Sequence, residues 1–201
     1  LYPIAQKELL TCQTPLTLKQ HLSDYLIYGS YPQIISAQTP LEKQQLITEI
    51  THSYLLKDLF AFDKIKNSKT LLNLLRLLAF QIGSEVSHTE LCKQLGIDSK
   101  TIARMLDILE KGFVLFNLRG FSKNLRKEIT KKSKYYFYDT GIRNALIANF
   151  NPLPMRNDLG ALWENFLMIE RLKKTRYDAL CANPFFWRTW DQKEIDLIEE
   201  R

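Results

Sequence analysis

The chain has 201 residues, 45% of them hydrophobic and 25% charged, with few glycines and prolines. This is an ordinary globular composition, long enough for one large or two small domains. No apolar run approaches the roughly 18 residues of a membrane span, and nothing at the N-terminus resembles a signal peptide, so a cytoplasmic protein without membrane contact is expected. Cys12, Cys92 and Cys181 are odd in number, widely separated and without CxxC spacing, as free thiols of a reducing compartment would be. The net charge is +6. Arg119, Lys123, Arg126, Lys127, Lys131, Lys132 and Lys134, opposed only by Glu128, account for all of it. Such a patch is what phosphate backbones select.

In chain order, residues 1 to about 66 read as a helical segment with short breaks. After Pro15, the residues Leu18, Leu22, Tyr25 and Leu26 share one helical face. Gly29-Ser30-Tyr31-Pro32 interrupts it. Pro40 starts a further helix towards Phe60, with Leu46, Ile50, Tyr54 and Leu55 along one stripe. His52 beside Ser53 lacks a third partner at triad spacing and reads as a helix-surface residue.

Residues 69–82 read as a Leu-rich helix ended by Gly83. Ser87-His88-Thr89-Glu90 is a capping box. It opens a short helix through Leu91 and Leu95 that stops at Gly96, a natural left-handed terminator. Asp98 or Ser99 then caps a longer helix, in which Ile102, Met105, Leu106 and Leu109 repeat at i, i+3, i+4 and i+7 before Gly112. A short capped helix, a tight turn and a longer helix are the helix-turn-helix order. Strands at Phe113–Leu118 and Tyr135–Tyr138, joined by the basic stretch, complete a winged helix over residues 67–139. Docked in a DNA major groove, the second helix offers Lys100, Thr101 and Arg104, with Arg104 on a guanine edge or on a phosphate. Lys123, Arg126, Lys127, Lys131 and Lys132 of the wing would follow the backbone. The alternative is a protein-facing module with a solvated basic loop.

The last third carries a helix from Asp139-Thr140-Gly141 to about Asn149, then a proline-containing loop. A helix from Gly160 to about Thr175 follows, with Leu162, Phe166 and Ile169 on its buried stripe, and strands begin at Pro184. In Glu194-Ile195-Asp196-Leu197-Ile198, alternation puts the acids on one face and Ile195 and Leu197 on the other, as core residues. Glu164 has Ala161, Leu167 and Met168 as helical neighbours, which sets it at a core edge. Glu164 and Asp196 are therefore candidate metal-binding and catalytic acids, oxygen ligands suited to Mg²⁺ and to water activation. The alternative is surface charge, or pairing of Glu164 with a Lys or Arg.

Several stretches in order resemble one family across essentially the whole chain. They are Tyr28-Gly29-Ser30-Tyr31-Pro32, Tyr54-Leu55-Leu56-Lys57-Asp58, Gly96-Ile97-Asp98 and Leu106-Asp107-Ile108-Leu109-Glu110. Further along come Lys134-Tyr135-Tyr136-Phe137-Tyr138-Asp139-Thr140-Gly141, Gly160-Ala161-Leu162-Trp163-Glu164-Asn165-Phe166, Phe186-Trp187-Arg188-Thr189 and Glu194-Ile195-Asp196. The family is the domain of unknown function that follows the ATPase core in prokaryotic AAA-type ATPases.

The resemblance implies a mainly α fold with small β elements (α+β) and an ATPase module upstream in the same chain, whose tail would be residues 1–8. ATP and Mg²⁺ would belong to the full-length protein. No GxxxxGK[ST] occurs here, so this chain itself is expected to hold no cofactor. The resemblance also implies a winged helix engaging DNA, and at 140–201 an incomplete PD-(D/E)xK nuclease-like domain of restriction-endonuclease type. There Glu164 and Asp196 match the helix and strand acids, and the Glu-x-Lys strand would lie beyond Arg201. Met105 stands where the family often has an aromatic residue, and Gln192-Lys193 where a glycine often precedes the acid at Glu194. With Leu1 rather than Met first, both ends are expected to be cuts, and the fragment to be inactive as a nuclease.

Overall fold

The structure, a computed structural model, describes residues 2–55, 68–121, 133–188 and 193–200. It is the mixed α+β fold expected, with five short N-terminal helices: α1 (Gln6–Leu9), α2 (Pro15–Gln20), α3 (Leu22–Tyr28), α4 (Pro32–Ser36) and α5 (Pro40–Glu49). Proline opens α2, α4 and α5, where a missing N–H costs nothing. Thr14 and Thr39 cap α2 and α5 by accepting from the amides of Thr17 and Glu42, each at 3.2 Å. The single helix expected over Pro15 to Leu26 is two, because His21 has a ψ of 3° and breaks the ladder. Beyond α5 the chain continues as a π-helical turn, Ile50–Leu55.

The middle of the chain follows its capping signals closely. Helix α6 (Ser68–Phe80), strand β1 (Glu85–Val86), α7 (His88–Leu95) and α8 (Ser99–Lys111) lead into β2 (Leu115–Gly120) and β3 (Ser133–Phe137). The Ser87 hydroxyl accepts from the Glu90 amide at 3.4 Å, and Gly96 takes the left-handed conformation with φ +66°. Asp98 caps α8 by accepting from the amides of Lys100 and Thr101 at 2.9 and 3.0 Å. Ile102, Met105, Leu106 and Leu109 are buried as the spacing requires, and so is Ile108. After α8 the left-handed residue is Phe113, with φ 55°, rather than Gly112. The three cysteines are free thiols.

Helices α9 (Thr140–Leu146) and α10 (Leu159–Tyr177) and the hairpin of β4 (Asn183–Arg188) and β5 (Glu194–Glu200) complete the chain. The strands among the described residues form one sheet in the order β1-β3-β2-β4-β5, and of their pairings only β2–β4 is parallel. The sheet therefore runs continuously across residue 139, where two domains are expected to meet. Its join is Arg119↔Phe185 and Gly120↔Phe186, extended by the Phe121 amide donating to the Phe186 carbonyl at 2.6 Å.

Strand β3 is covered on both faces, which is why it reads as an uninterrupted aromatic run. Tyr135 and Phe137 enter a core with residues of α6 and α8, while Tyr136 joins Leu118, Phe186 and Met168, Ile169 and Leu172 of α10. Each such fully buried side chain contributes roughly 1.5–3 kcal/mol. Asn165 of α10, 1% exposed, fastens helix to sheet: its Oδ1 accepts from the Phe137 amide at 2.7 Å and its Nδ2 donates to the Phe137 carbonyl at 2.9 Å.

Two of the stretches that carry the family resemblance turn out to clasp one another. Asp139 caps α9 through the Ile142 amide at 3.1 Å and accepts from the Ser30 amide at 2.8 Å. A Cβ on Gly29 would lie 2.0 Å from Asp139 Oδ1, and one on Gly141 would lie 2.0 Å from the Tyr28 carbonyl oxygen. Both glycines are thus demanded by close approach. Burial pushes the Asp139 carboxyl up, against the pull of the amides and of Lys173. Asn144 donates to the carbonyls of Leu26 and Ile27 at 3.0 and 2.8 Å, satisfying the end of α3.

Candidate functional site

The two acids singled out from the sequence meet in space. Glu164 stands in the second turn of α10 and Asp196 in β5, and both reach the ammonium of Lys134 on β3, at 3.6 and 3.5 Å. Glu194 of β5 is closer, at 2.5 Å. The Tyr136 hydroxyl donates to Glu164 Oε1 at 2.6 Å, and the Phe186 ring lies 5.5 Å from the Lys134 ammonium. A Cβ on Gly83 would sit 3.1 Å from Glu164 Oε1, so the turn after α6 closes the site behind that carboxylate. At the rim, Arg188 Nη1 donates to Glu85 Oε1 at 3.2 Å, and Glu85 is the register partner of Lys134.

The sequence dictates this convergence through parity and one irregularity. Lys134 and Tyr136 are two apart on β3 and share the face that α10 covers. On β5, simple alternation puts Asp196 and Leu197 on opposite faces. Yet Asp196 reaches Lys134, Leu197 packs on the core beneath α10, and Glu199 pairs with Arg171 of α10 at 2.6 Å. A bulge reconciles them: β4 advances two residues from Phe185 to Trp187 while β5 advances three, from Ile198 to Ile195. The expectation that Ile195 is a core residue is corrected, since it lies 47% exposed on the other face, and Leu197 is only half-buried.

Electrostatically, three carboxylates face one ammonium, a formal charge of −2. The Lys134 side chain is 4% exposed and that of Asp196 63%, so the site is sealed at the lysine and open at the aspartate. Burial alone would lower the Lys134 pKa, but the hydrogen bond to Glu194 and the charges of Glu164, Glu194 and Asp196 hold it above the usual lysine value. The Tyr136 hydroxyl is pushed far up, first by burial and then by its bond to Glu164, so it stays a donor.

The residues expected to hold Mg²⁺ can be tested for fit on this geometry. Their oxygens point at an ammonium, and a magnesium ion needs near-octahedral oxygens at about 2.1 Å around an open centre. Among the described residues no group of three or more His, Cys, Asp or Glu is arranged to hold a metal ion. The acids fit an ammonium here rather than a divalent ion.

The nucleic-acid candidates lie elsewhere. Lys100 and Arg104 are exposed on α8, on the side away from its buried stripe. Thr101 is half-buried, and its hydroxyl donates to Asp98 Oδ2 at 2.6 Å as part of the cap. Lys123, Arg126, Lys127, Lys131 and Lys132 lie outside the described residues. The stretch that carries them leaves the sheet at Phe121 and rejoins it at Ser133, one residue before Lys134.

Sequence reasoning missed Lys134, Glu194 and Tyr136 as members of one site. The available signal was a lysine at even spacing from Tyr136 and Tyr138 in an otherwise apolar strand. It also missed a second buried network, in which Arg143 and Arg156 share Asp158. Arg156 donates to both Asp158 oxygens at 2.8 Å and to Asn144 Oδ1 at 3.0 Å, and Arg143 donates to Asp158 and to the Ala79 carbonyl at 2.8 Å. This network pins the loop between α9 and α10 to the end of α6.

Comparison with known proteins adds lineage. An uncharacterized protein of Haemophilus influenzae is 27% identical over 211 residues, an alignment covering all of this chain and 49% of that protein. The chain thus spans about half the length of the curated relative it matches. No solved structure matches. Residues 159–201 match a second domain of unknown function (DUF4143), of a kind typically found C-terminal to AAA ATPase domains. No helix among the described residues is long and apolar enough to cross a membrane. With residues 19–153, more than half its length, matching the family model, the chain belongs to the domain of unknown function family DUF8612.

Proposed function

We propose that this chain is the DNA-engaging accessory part of a longer AAA-type ATPase, contacting DNA through a winged helix. The observation that carries this reading is the division of α8. Its inner residues Ile102, Met105, Leu106, Ile108 and Leu109 are spent on the core, while Lys100, Ala103 and Arg104 face outward beside the β2–β3 hairpin. The connection of that hairpin carries five cations and one acid over residues 122–132. A helix of this kind lies in a major groove while a basic hairpin follows the phosphates. The C-terminal match to DUF4143 supports the ATPase association. Metal-dependent cleavage by Glu164 and Asp196 has less support, because both acids are turned to Lys134.

Binding of a fluorescent duplex tests the reading. Lys131→Glu with Lys132→Glu should weaken affinity by tenfold or more, about 1.4 kcal/mol, and flatten the salt dependence. Lys100→Ala with Arg104→Ala should also weaken binding, without altering the fold. Unchanged binding in both pairs would turn the reading towards a module that docks on a protein partner.

A further inference from the structure

We infer that residues 2–8 are a releasable strap whose engagement holds the end of α8, so that drawing the strap away loosens the joint between α8 and β2. The inference rests on the proposed function only in treating α8 as a DNA-reading helix. Its test uses neither DNA nor an ATPase, so either can fail alone.

The strap is fastened along α10. The Ile4 amide donates to the Ser30 carbonyl at 3.0 Å, and the Ile4 carbonyl accepts from Lys173 Nζ at 3.3 Å. The Gln6 amide donates to Glu170 Oε2 at 2.7 Å. Lys7 pairs with Asp178, and Glu8 accepts from the Tyr177 hydroxyl at 3.2 Å. Ala5 is buried. At the far end Tyr2 stacks on Tyr138, with ring centroids 5.4 Å apart, and meets Phe113 edge-on at 5.7 Å and Tyr177 at 6.3 Å.

Phe113 turns α8 into β2, and its φ of 55° is one that a bulky side chain rarely adopts. Such a backbone persists where its surroundings over-determine it. The Phe113 ring is half exposed and packs on Tyr2 and Tyr138, so Tyr2 bridges the strap and the strained joint. Engagement carries a second cost, because Gln6 Nε2 is buried without a hydrogen-bond partner among the described residues. Both costs fall away on release, which leaves the strap poised to let go. A body joined ahead of Tyr2, such as the proposed ATPase module, would therefore reach α8 through one ring.

Amide exchange of the 201-residue chain, read by nuclear magnetic resonance, tests this. The Gly112 and Phe113 amides donate to the Ile108 and Glu110 carbonyls at 2.8 and 3.1 Å, and they open by fraying of the joint rather than by global unfolding. Tyr2→Ala should raise their exchange rates by about tenfold or more, since three ring contacts are lost. Glu170→Gln weakens the strap at the Gln6 amide, far from the joint. It should raise exchange at Ile4 and Gln6 and, because the strap disengages as a unit, by about threefold or more at Gly112 and Phe113 as well. In the Tyr2→Ala background it should add nothing at those two amides.

Exchange at Gly112 and Phe113 that stays within about twofold of wild type in Tyr2→Ala overturns the inference. So does a Glu170→Gln effect confined to Ile4 and Gln6, or one that persists at the joint in the double variant. Tyr2→Leu, which keeps an apolar side chain without the ring, takes the place of Tyr2→Ala should that variant not fold, and the same outcomes count for and against the strap.

Discussion

Asn165→Ala tests how α10 is attached to the sheet. Both polar atoms of Asn165 are engaged with one residue, Phe137, at 2.7 and 2.9 Å, and the side chain is 1% exposed. Alanine leaves the Phe137 amide and carbonyl buried with those partners gone. Each stranded group costs about 1–3 kcal/mol, so the loss from the two should be about 2–6 kcal/mol. For a chain of this size that is a fall of roughly 4–24 °C in Tm. Urea unfolding followed by tryptophan fluorescence measures it, with an unchanged m-value expected. Asn165→Asp is the discriminating control. It preserves shape and the acceptor for the Phe137 amide but sets a carboxylate oxygen against the Phe137 carbonyl, and should be no better than alanine. A loss within about 0.5 kcal/mol for both variants would refute the view that this pairing joins helix to sheet.

Further predictions concern the clasp, the arginine network and the lysine. Gly141→Ala should destabilise by at least 1–3 kcal/mol, roughly the cost of overpacking, since the new methyl meets the Tyr28 carbonyl at 2.0 Å; thermal melts decide it. Asp158→Asn should cost about 3–5 kcal/mol by stranding two buried guanidiniums. Although burial would raise the Asp158 carboxyl, Arg156 and Arg143 hold it below the ordinary carboxylate value. Its contribution is therefore present above about pH 4 and lost as pH falls through the depressed folded value, so the gap between wild type and Asp158→Asn should narrow in acid melts. Lys134 has the opposite sign. Its contribution is intact below the ordinary lysine pKa and lost as pH rises through the raised folded value, so Lys134→Met should converge on wild type only in strong alkali.

Much of the middle of this fold is legible in the sequence because its signals are local. Ser87, Gly96 and Asp98 act within one turn of themselves, and the stripe from Ile102 to Leu109 records a single helix face. Pro15 and Pro40 mark helix starts for the same reason, whereas Pro32 reads as a break and the helix it opens, α4, is too short to show a stripe. What stays hidden depends on distant partners. Gly29 and Gly141 look like turn glycines, and only their contact across more than a hundred residues shows why no side chain fits. Tyr135, Tyr136 and Phe137 hide their alternation because both faces of β3 are covered. Lys134 counts in the sequence as one more cation of the basic stretch, since nothing local says that β5 and α10 bring three acids to it. The β5 bulge, which lets Leu197 and Glu199 share the face of Asp196, has no sequence mark either.

The proposed binding of DNA would neutralise phosphates with α8 and the basic hairpin connection. Its most direct test is fluorescence anisotropy of a duplex titrated with this chain from about 50 to 300 mM salt. Log K should fall linearly against log salt with a slope of about −3.6 to −5.4, equivalent to roughly four to six phosphates neutralised. A slope near zero, or no binding at the lowest salt, would contradict it.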